Sequence, residues 1–288
     1  MKMIAVSLPG GGLFAYVQAR VLALVKPANF ARIKVFAGTS GGGINSCAYA
    51  AGMDVTAVPK LWKDLGPAVF KGHWWKQYNY ITTPKYGDAK LNKLLSDNLP
   101  GQLGSARVPV FITAHNMSAG KAKVFYSGDA DDGQWPLWEV ARITAAAQTY
   151  LPVWKNFADG GLFFNDPSVA LMAGVHSEFG IEPNDLYMVS IGTGASQENY
   201  TRGNPGNYIK WIKIILEDTL HGGSVFGQRF VANELLGPDH YLVCDFPNDS
   251  DMGFDNPDVP QWIDDNWSDQ IVSAAAQIDR FVESISVE

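Results

Sequence analysis

The chain has 288 residues, 47% hydrophobic and 18% charged, with a formal net charge of −7. That length buries a full core, and the balance of apolar to charged residues describes an ordinary globular protein. The negative charge excludes nucleic acid as a general partner, because such binding asks for a basic face.

In chain order, Met3–Leu8 reads as a buried strand ending at a glycine turn. Leu13–Val25 carries apolar residues at helical spacing, with Lys26-Pro27 as its stop. Ile33–Ala37 is a second strand, and Gly41–Gly52 a helix after another glycine turn. Val108–His115 and Lys123–Tyr126 read as strands, Leu137–Gln148 as a helix and Pro167–Gly174 as a short one. Leu186–Ile191 is a strand running into Gly192-Thr193-Gly194. Tyr208–Leu220 and Ser224–Leu236 read as helices, and Tyr241–Phe246 as a last strand. Pro247–Pro260 is a surface loop before a closing helix over Trp262–Val287. The alternation predicts a three-layer α/β/α fold around a mostly parallel sheet. With no repeat or linker, residues 1–288 read as one domain.

Cys47 and Cys244 are too far apart to form a disulfide framework and lack zinc-ligand spacing, so they read as free thiols. No run approaches the ~20 apolar residues of a membrane span. The N-terminal apolar run, broken by Pro9-Gly10-Gly11-Gly12, is too short for a signal peptide. A cytoplasmic protein, peripheral to a membrane at most, is expected.

Two strand–turn–helix junctions carry glycine clusters, which aim backbone N–H groups at an anion. The first, Gly10-x-Gly12-x-x-Ala15, fits the start of a dinucleotide fingerprint. It lacks the acidic residue needed at the end of the second strand, where Gly38-Thr39-Ser40 stands instead. The second junction, Gly38-x-Ser40-x-Gly42, has the pattern of a nucleophile elbow, where small neighbours let the chain double back beneath an exposed serine. A bare glycine turn with an incidental serine is the alternative. A serine nucleophile needs a base. None of His73, His115, His176, His221 and His240 stands in a triad context, whereas Asp159 in Ala158-Asp159-Gly160-Gly161 would place a carboxylate on a tight turn. The plain alternative there is an ordinary Asp-Gly turn.

Taken in order, these segments resemble the patatin-like phospholipases. Pro9–Ala15 is similar to the family's glycine-rich oxyanion loop, Gly38–Gly42 to its elbow and Asp159-Gly160-Gly161 to its aspartate segment. The run Thr144–Pro152 and the strand end Val189–Gly194 also match, so the likeness covers about residues 3–195. The resemblance implies a Ser40–Asp159 dyad without metal or organic cofactor. Oxyanion donors would be the N–H groups of Gly10, Gly11, Gly12 and Gly41. It also implies a phospholipase A-type hydrolase acting on fatty-acyl esters of glycerophospholipids. In the loop, Pro9, Phe14 and Ala15 replace the family's usual Asp, Arg and Gly. Losing the arginine is expected to leave the oxyanion on backbone donors alone and reduce activity, so that Phe14→Arg would raise turnover. Asp166 stands where the family often has Asn.

The stretch Leu61–Tyr86 interleaves Trp62, Trp74, Trp75 and other rings with lysines, which suits contact with a lipid surface. Packing of the same rings under a loop is the alternative. A general carboxylesterase, a weakly active lipid-binding module and a triad hydrolase using His221 or His240 are the competing functions. Oligomeric state is not legible.

Overall fold

The computed structural model describes residues 2–70, 84–194, 224–248, 250 and 252–286. The expected helix at 208–220 lies outside them, as do Trp74, Trp75, His73 and His221.

The chain opens with strand β1 (Met3–Leu8), a 3-10 turn (Gly12–Ala15) and helix α1 (Tyr16–Leu24). Strand β2 (Ile33–Gly38) leads directly into α2 (Ser40–Ala50). Helices α3 (Val58–Phe70) and α4 (Ala89–Asn98) precede β3 (Val110–Asn116) and β4 (Lys121–Tyr126). Then come α5 (Leu137–Thr144), the three-residue β5 (Phe157–Asp159), α6 (Ser168–Phe179) and β6 (Leu186–Ile191). The C-terminal part contributes α7 (Gln228–Leu236), β7 (Tyr241–Cys244), α8 (Val259–Asn266) and α9 (Ser268–Ser284).

The strands form one sheet in the order β4-β3-β2-β1-β6-β7, with β5 paired to β3. β3, β2, β1, β6 and β7 run parallel, while β4 and β5 are antiparallel to β3. Every residue of β1 is buried, as expected for a central parallel strand covered on both faces. Alternation divides its side chains: Ile4, Val6 and Leu8 enter the larger core, and Met3 and Ala5 the smaller one. The smaller core is closed by Leu171 and Val175 of α6 and by Ala232 and Leu236 of α7. The larger lies under the remaining long helices. Three layers with a mostly parallel sheet result, as the sequence pattern predicts.

Packing overrides propensity at α2, whose Ser-Gly-Gly-Gly start is a poor helix former at ~1 kcal/mol lost per glycine. It is helical because Gly41 to Ala50 are all buried. Helix α5 ends at Thr144, short of the expected Gln148. The i→i−4 ladder is abandoned there: the Ala146 N–H donates to Ile143 O at 3.0 Å and the Ala147 N–H to Ala145 O at 2.8 Å. The closing helix is two helices. Trp267, at the break, is buried in a ring cluster with Phe14, Phe246 and Trp262.

Trp62 requires a correction. It is 1% exposed and its indole N–H donates to Asn45 Oδ1 at 2.6 Å. It therefore cannot touch a membrane. Val58, Leu61, Trp62, Leu65 and Val69 are the buried stripe of α3, spaced for a helix, and Tyr86 is buried beside Phe70. Trp62→Ala is expected to destabilise the fold by about 3–5 kcal/mol. Urea denaturation measures it.

Candidate active site

β1 has β2 on one side and β6 on the other, so the loops leaving its C-terminal end diverge and open a crevice there. Both glycine turns lie at that end. Gly38 is the last residue of β2 and Ser40 the first of α2, so the reversal is made by Thr39 and Ser40 alone. Ser40 has φ of 54°, a left-handed conformation that costs a non-glycine residue about 1–3 kcal/mol and persists only where surroundings enforce it. A side chain on Gly42 would strike the Leu8 carbonyl, and one on Gly38 the Gly42 carbonyl. The elbow glycines are dictated by that close approach.

The strained residue is held on both sides. The Ser40 N–H donates to Thr144 Oγ1 at 2.8 Å. Thr39 Oγ1 meets Thr113 Oγ1 at 2.7 Å and donates to Phe164 O at 2.5 Å. Neither threonine at 39 or 113 carries a recognisable signal in sequence, and Thr144 does so only as the start of the run Thr144–Pro152.

Strand pairing brings Asp159 to the serine. Gly38 pairs with Ile112 of β3, and Asp159 pairs with Ala114, two residues further along β3. At ~3.3 Å per residue, β5 thus begins where β2 has just ended, on the same edge of β3. The Ser40 side chain lies close enough to the Asp159 carboxylate to favour its charged form, and Asp159 Oδ1 accepts the Gly161 N–H at 2.8 Å. Asp159 is 4% exposed, and its burial pushes the carboxyl pKa up to about 7. The Ser40 side chain and the Gly161 N–H favour the charged form and only partly offset this.

The glycine loop leans on the same place. A side chain on Gly10 would run into Asn165 Oδ1 and come 3.0 Å from Ser40 Cβ. Here a second correction arises: the Gly10 N–H donates to Asn165 O at 2.9 Å and is spent as an oxyanion donor. The N–H groups of Gly11, Gly12 and Gly41 meet no acceptor among the described residues. Beneath the loop, the fully buried Gln18 donates to Pro9 O at 2.8 Å and Ile191 O at 2.9 Å. Asn45 donates to Gln18 and to Ala15 O, and accepts from Trp62. Nothing in the motif pattern marks these two amides.

A third correction concerns Phe14. Its ring is 4% exposed and packs 5.9 Å from the Trp267 ring and 6.2 Å from Trp262. It faces the aromatic cluster under α8 and α9, so an arginine there would bury an unpaired charge instead of supplying the oxyanion. Asp166 is likewise no simple replacement for Asn. Fully buried, it accepts from Ser7, Ser168, Ser190 and Arg229 at 2.5–2.9 Å.

No described histidine is bonded to Ser40 or Asp159. His240 precedes β7, at the opposite end of the parallel strands, stacked on Tyr187. His115 packs on Phe163, and His176 is exposed near Glu182. Among the described residues no cluster of His, Cys, Asp and Glu could hold a metal ion, and no helix is long and apolar enough to cross a membrane.

The model of the patatin-like phospholipase family matches residues 6–172, more than half of the chain. The chain belongs to this family. Among solved structures, VipD from Legionella pneumophila superposes with a TM-score of 0.51 at 12% identity, over 98% of this chain and 67% of that one. Full-length ExoU from Pseudomonas aeruginosa, solved with SpcU, gives 0.47 at 11% identity over 98% and 52%. The first likeness supports the patatin-like fold. No curated protein is similar in sequence. In this patatin-like protein, Gly38–Gly42 and the Asp159 turn both lie within the matched residues and are brought together at one end of the sheet.

Two outcomes are expected. Phe14→Arg should cost about 3–5 kcal/mol of stability, as an unpaired buried charge does, seen as a lower urea midpoint and no gain in turnover. Asp159 has a folded pKa raised above its unfolded value, so its stability contribution is full below about pH 4. It is lost as pH rises through about 7. Asp159→Asn should therefore gain stability over the wild type in alkaline buffer relative to acid, by denaturant titration at each pH.

Proposed function

We propose that the protein is a lipid acyl hydrolase of phospholipase A type, cleaving fatty-acyl esters of glycerophospholipids. The observation that carries this reading is Ser40, on its strained elbow, brought beside the buried Asp159 carboxylate by the pairing of β2 and β5 along β3. Asp159 in its charged form takes the Ser40 proton as Oγ attacks the ester carbonyl. The oxyanion is met by the N–H groups of Gly11, Gly12 and Gly41, and the first turn of α2 adds its dipole. Asp159 returns the proton to the departing alcohol, leaving an acyl-serine. Water, deprotonated by the same carboxylate, then releases the fatty acid. A carboxylate ordinarily titrates near 4 and is a weak base at neutral pH. A base poised near the working pH is the more effective one, and burial supplies that match here.

The test is mass spectrometry of phospholipid vesicles incubated with the protein. Release of fatty acid and lysophospholipid is expected, and Ser40→Ala should abolish it. Asp159→Asn should lower kcat by about 10²–10⁴-fold, the usual worth of a general base. In the wild type kcat/KM should rise with pH through about 7. His240→Ala should leave the rate unchanged, since a triad using that residue is the competing chemistry. Hydrolysis of monomeric esters with no gain on vesicles would point to a general carboxylesterase instead. Trp74 and Trp75, with Lys71 and Lys76 beside them in sequence, are proposed to meet the lipid surface; replacing both tryptophans by alanine should weaken vesicle sedimentation.

A further inference from the structure

The family match ends at residue 172, yet the turn that carries the base is fastened by residues far beyond it. The turn is the run Gly161–Asp166, and its inner side touches all three parts of the site. The Gly161 N–H donates to Asp159 Oδ1 at 2.8 Å. Phe164 O accepts from Thr39, the residue before the nucleophile, at 2.5 Å. Asn165 O accepts the Gly10 N–H at 2.9 Å, tying down the glycine loop.

Its outer side is held by Ser224–Arg229. Ser224 Oγ donates to Gly161 O at 2.6 Å and accepts the Asn165 N–H at 2.5 Å, and Ser224 O accepts the Asp166 N–H at 2.7 Å. Arg229 Nε donates to Asp166 Oδ2 at 2.8 Å while its Nη1 donates to Asp245 Oδ2 at 2.6 Å. Ser224 is 3% exposed and Asp166 is fully buried, so water offers these groups no ready substitute. A loop with short, satisfied bonds on both sides transmits displacement from one side to the other, because neither side has slack.

We infer that Ser224 and Arg229 are positioning residues: through the turn Gly161–Asp166 they set the place of Asp159 and of the Gly10–Gly12 loop relative to Ser40. The inference rests on the Ser–Asp reading given above. It makes the C-terminal third a working part of the site, although neither residue touches substrate. Loosening the latch should slacken the Gly161 N–H on Asp159. That bond favours the charged carboxylate, so its weakening makes the base harder to ionise.

The experiment compares Ser224→Ala, Arg229→Gln and Arg229→Lys with the wild type in the full chain. Soluble-ester kinetics across the pH range of Asp159 are combined with hydrogen exchange of peptides covering Gly10–Gly12 and Gly161–Asp166. Ser224→Ala and Arg229→Gln should lower kcat by about 10- to 100-fold, as sub-ångström to ångström misplacement does, with KM little changed. The ascending pH limb should move to higher pH, and exchange should quicken in both peptides. Arg229→Lys, which keeps a cation beside Asp166, should recover part of the rate. If the variants melt earlier but keep kcat, the pH limb and the exchange pattern, the latch is structural only and the inference falls. If the wild type itself hydrolyses no ester, the Ser–Asp reading fails instead. Exchange then decides the latch: faster exchange at Gly10–Gly12 in Ser224→Ala sustains it, and unchanged exchange overturns it.

Discussion

The first turn of α2 lies so close to the end of β1 that a side chain at Gly42 would occupy the Leu8 carbonyl. That approach leaves the chain two residues, Thr39 and Ser40, in which to turn from strand to helix, and it forces Ser40 to φ of 54°. The conformation is unfavourable by itself and is kept because nothing nearby can relax. Thr144 takes the Ser40 N–H, and the Thr39 hydroxyl is engaged by Thr113 and Phe164. Ser40 is thereby set just past the end of β2, beside the part of β3 that β2 leaves unpaired. Asp159 arrives there because β5 pairs where β2 has stopped.

Two buried polar scaffolds then fix the loops around the serine, one on each side. Under the glycine loop, Trp62, Asn45 and Gln18 form a chain of bonds that ends on Pro9 O. Under the base turn, Asp166 gathers serines from β1 and β6 and the guanidinium of Arg229. Buried polar groups are costly unless satisfied and stiff when they are. Their satisfaction here explains how a run as glycine-rich as Gly10–Gly12 can present N–H groups in a fixed direction. The glycines provide close approach, and the amides beneath them provide rigidity.

The elbow was legible in the sequence because its requirement is local: Gly38, Ser40 and Gly42 must be spaced that way wherever a strand doubles back into a helix. Asp159 was legible as a residue and not as a neighbour, since its meeting with Ser40 depends on a three-residue strand too short to carry a pattern. The alternation of strands and helices gave the layers. It missed α3, where the composition of Leu61–Tyr86 left lipid contact and packing both open for Trp62, because aromatic and lysine residues look alike in sequence whether the rings face lipid or core. Phe14 was misjudged for a different reason. A loop position can be matched to a family while the side chain's direction is set by the local 3-10 turn, and here that direction is into the cluster of Trp262 and Trp267. Ser224 and Arg229 had no signature, because a serine and an arginine acquire a role only from what they face in the fold.

A dyad asks more of its one base than a triad asks of its histidine. A histidine titrates near neutrality unaided, whereas a carboxylate must be moved there. Here Asp159 is buried, with the Gly161 N–H and the Ser40 side chain favouring its charged form. A cation beside it would have pulled the pKa back down and weakened the base. Among the described residues, Arg229 is held on Asp166 and Asp245, on the far side of the turn that follows Asp159. Backbone N–H groups stabilise an oxyanion through partial charges aimed in one direction, and a full charge near Ser40 would also act on Asp159. With Phe14 turned into the core, an oxyanion at Ser40 would, on the dyad reading proposed above, rest on backbone dipoles whose positions Gln18, Asn45 and the Gly161–Asp166 turn define.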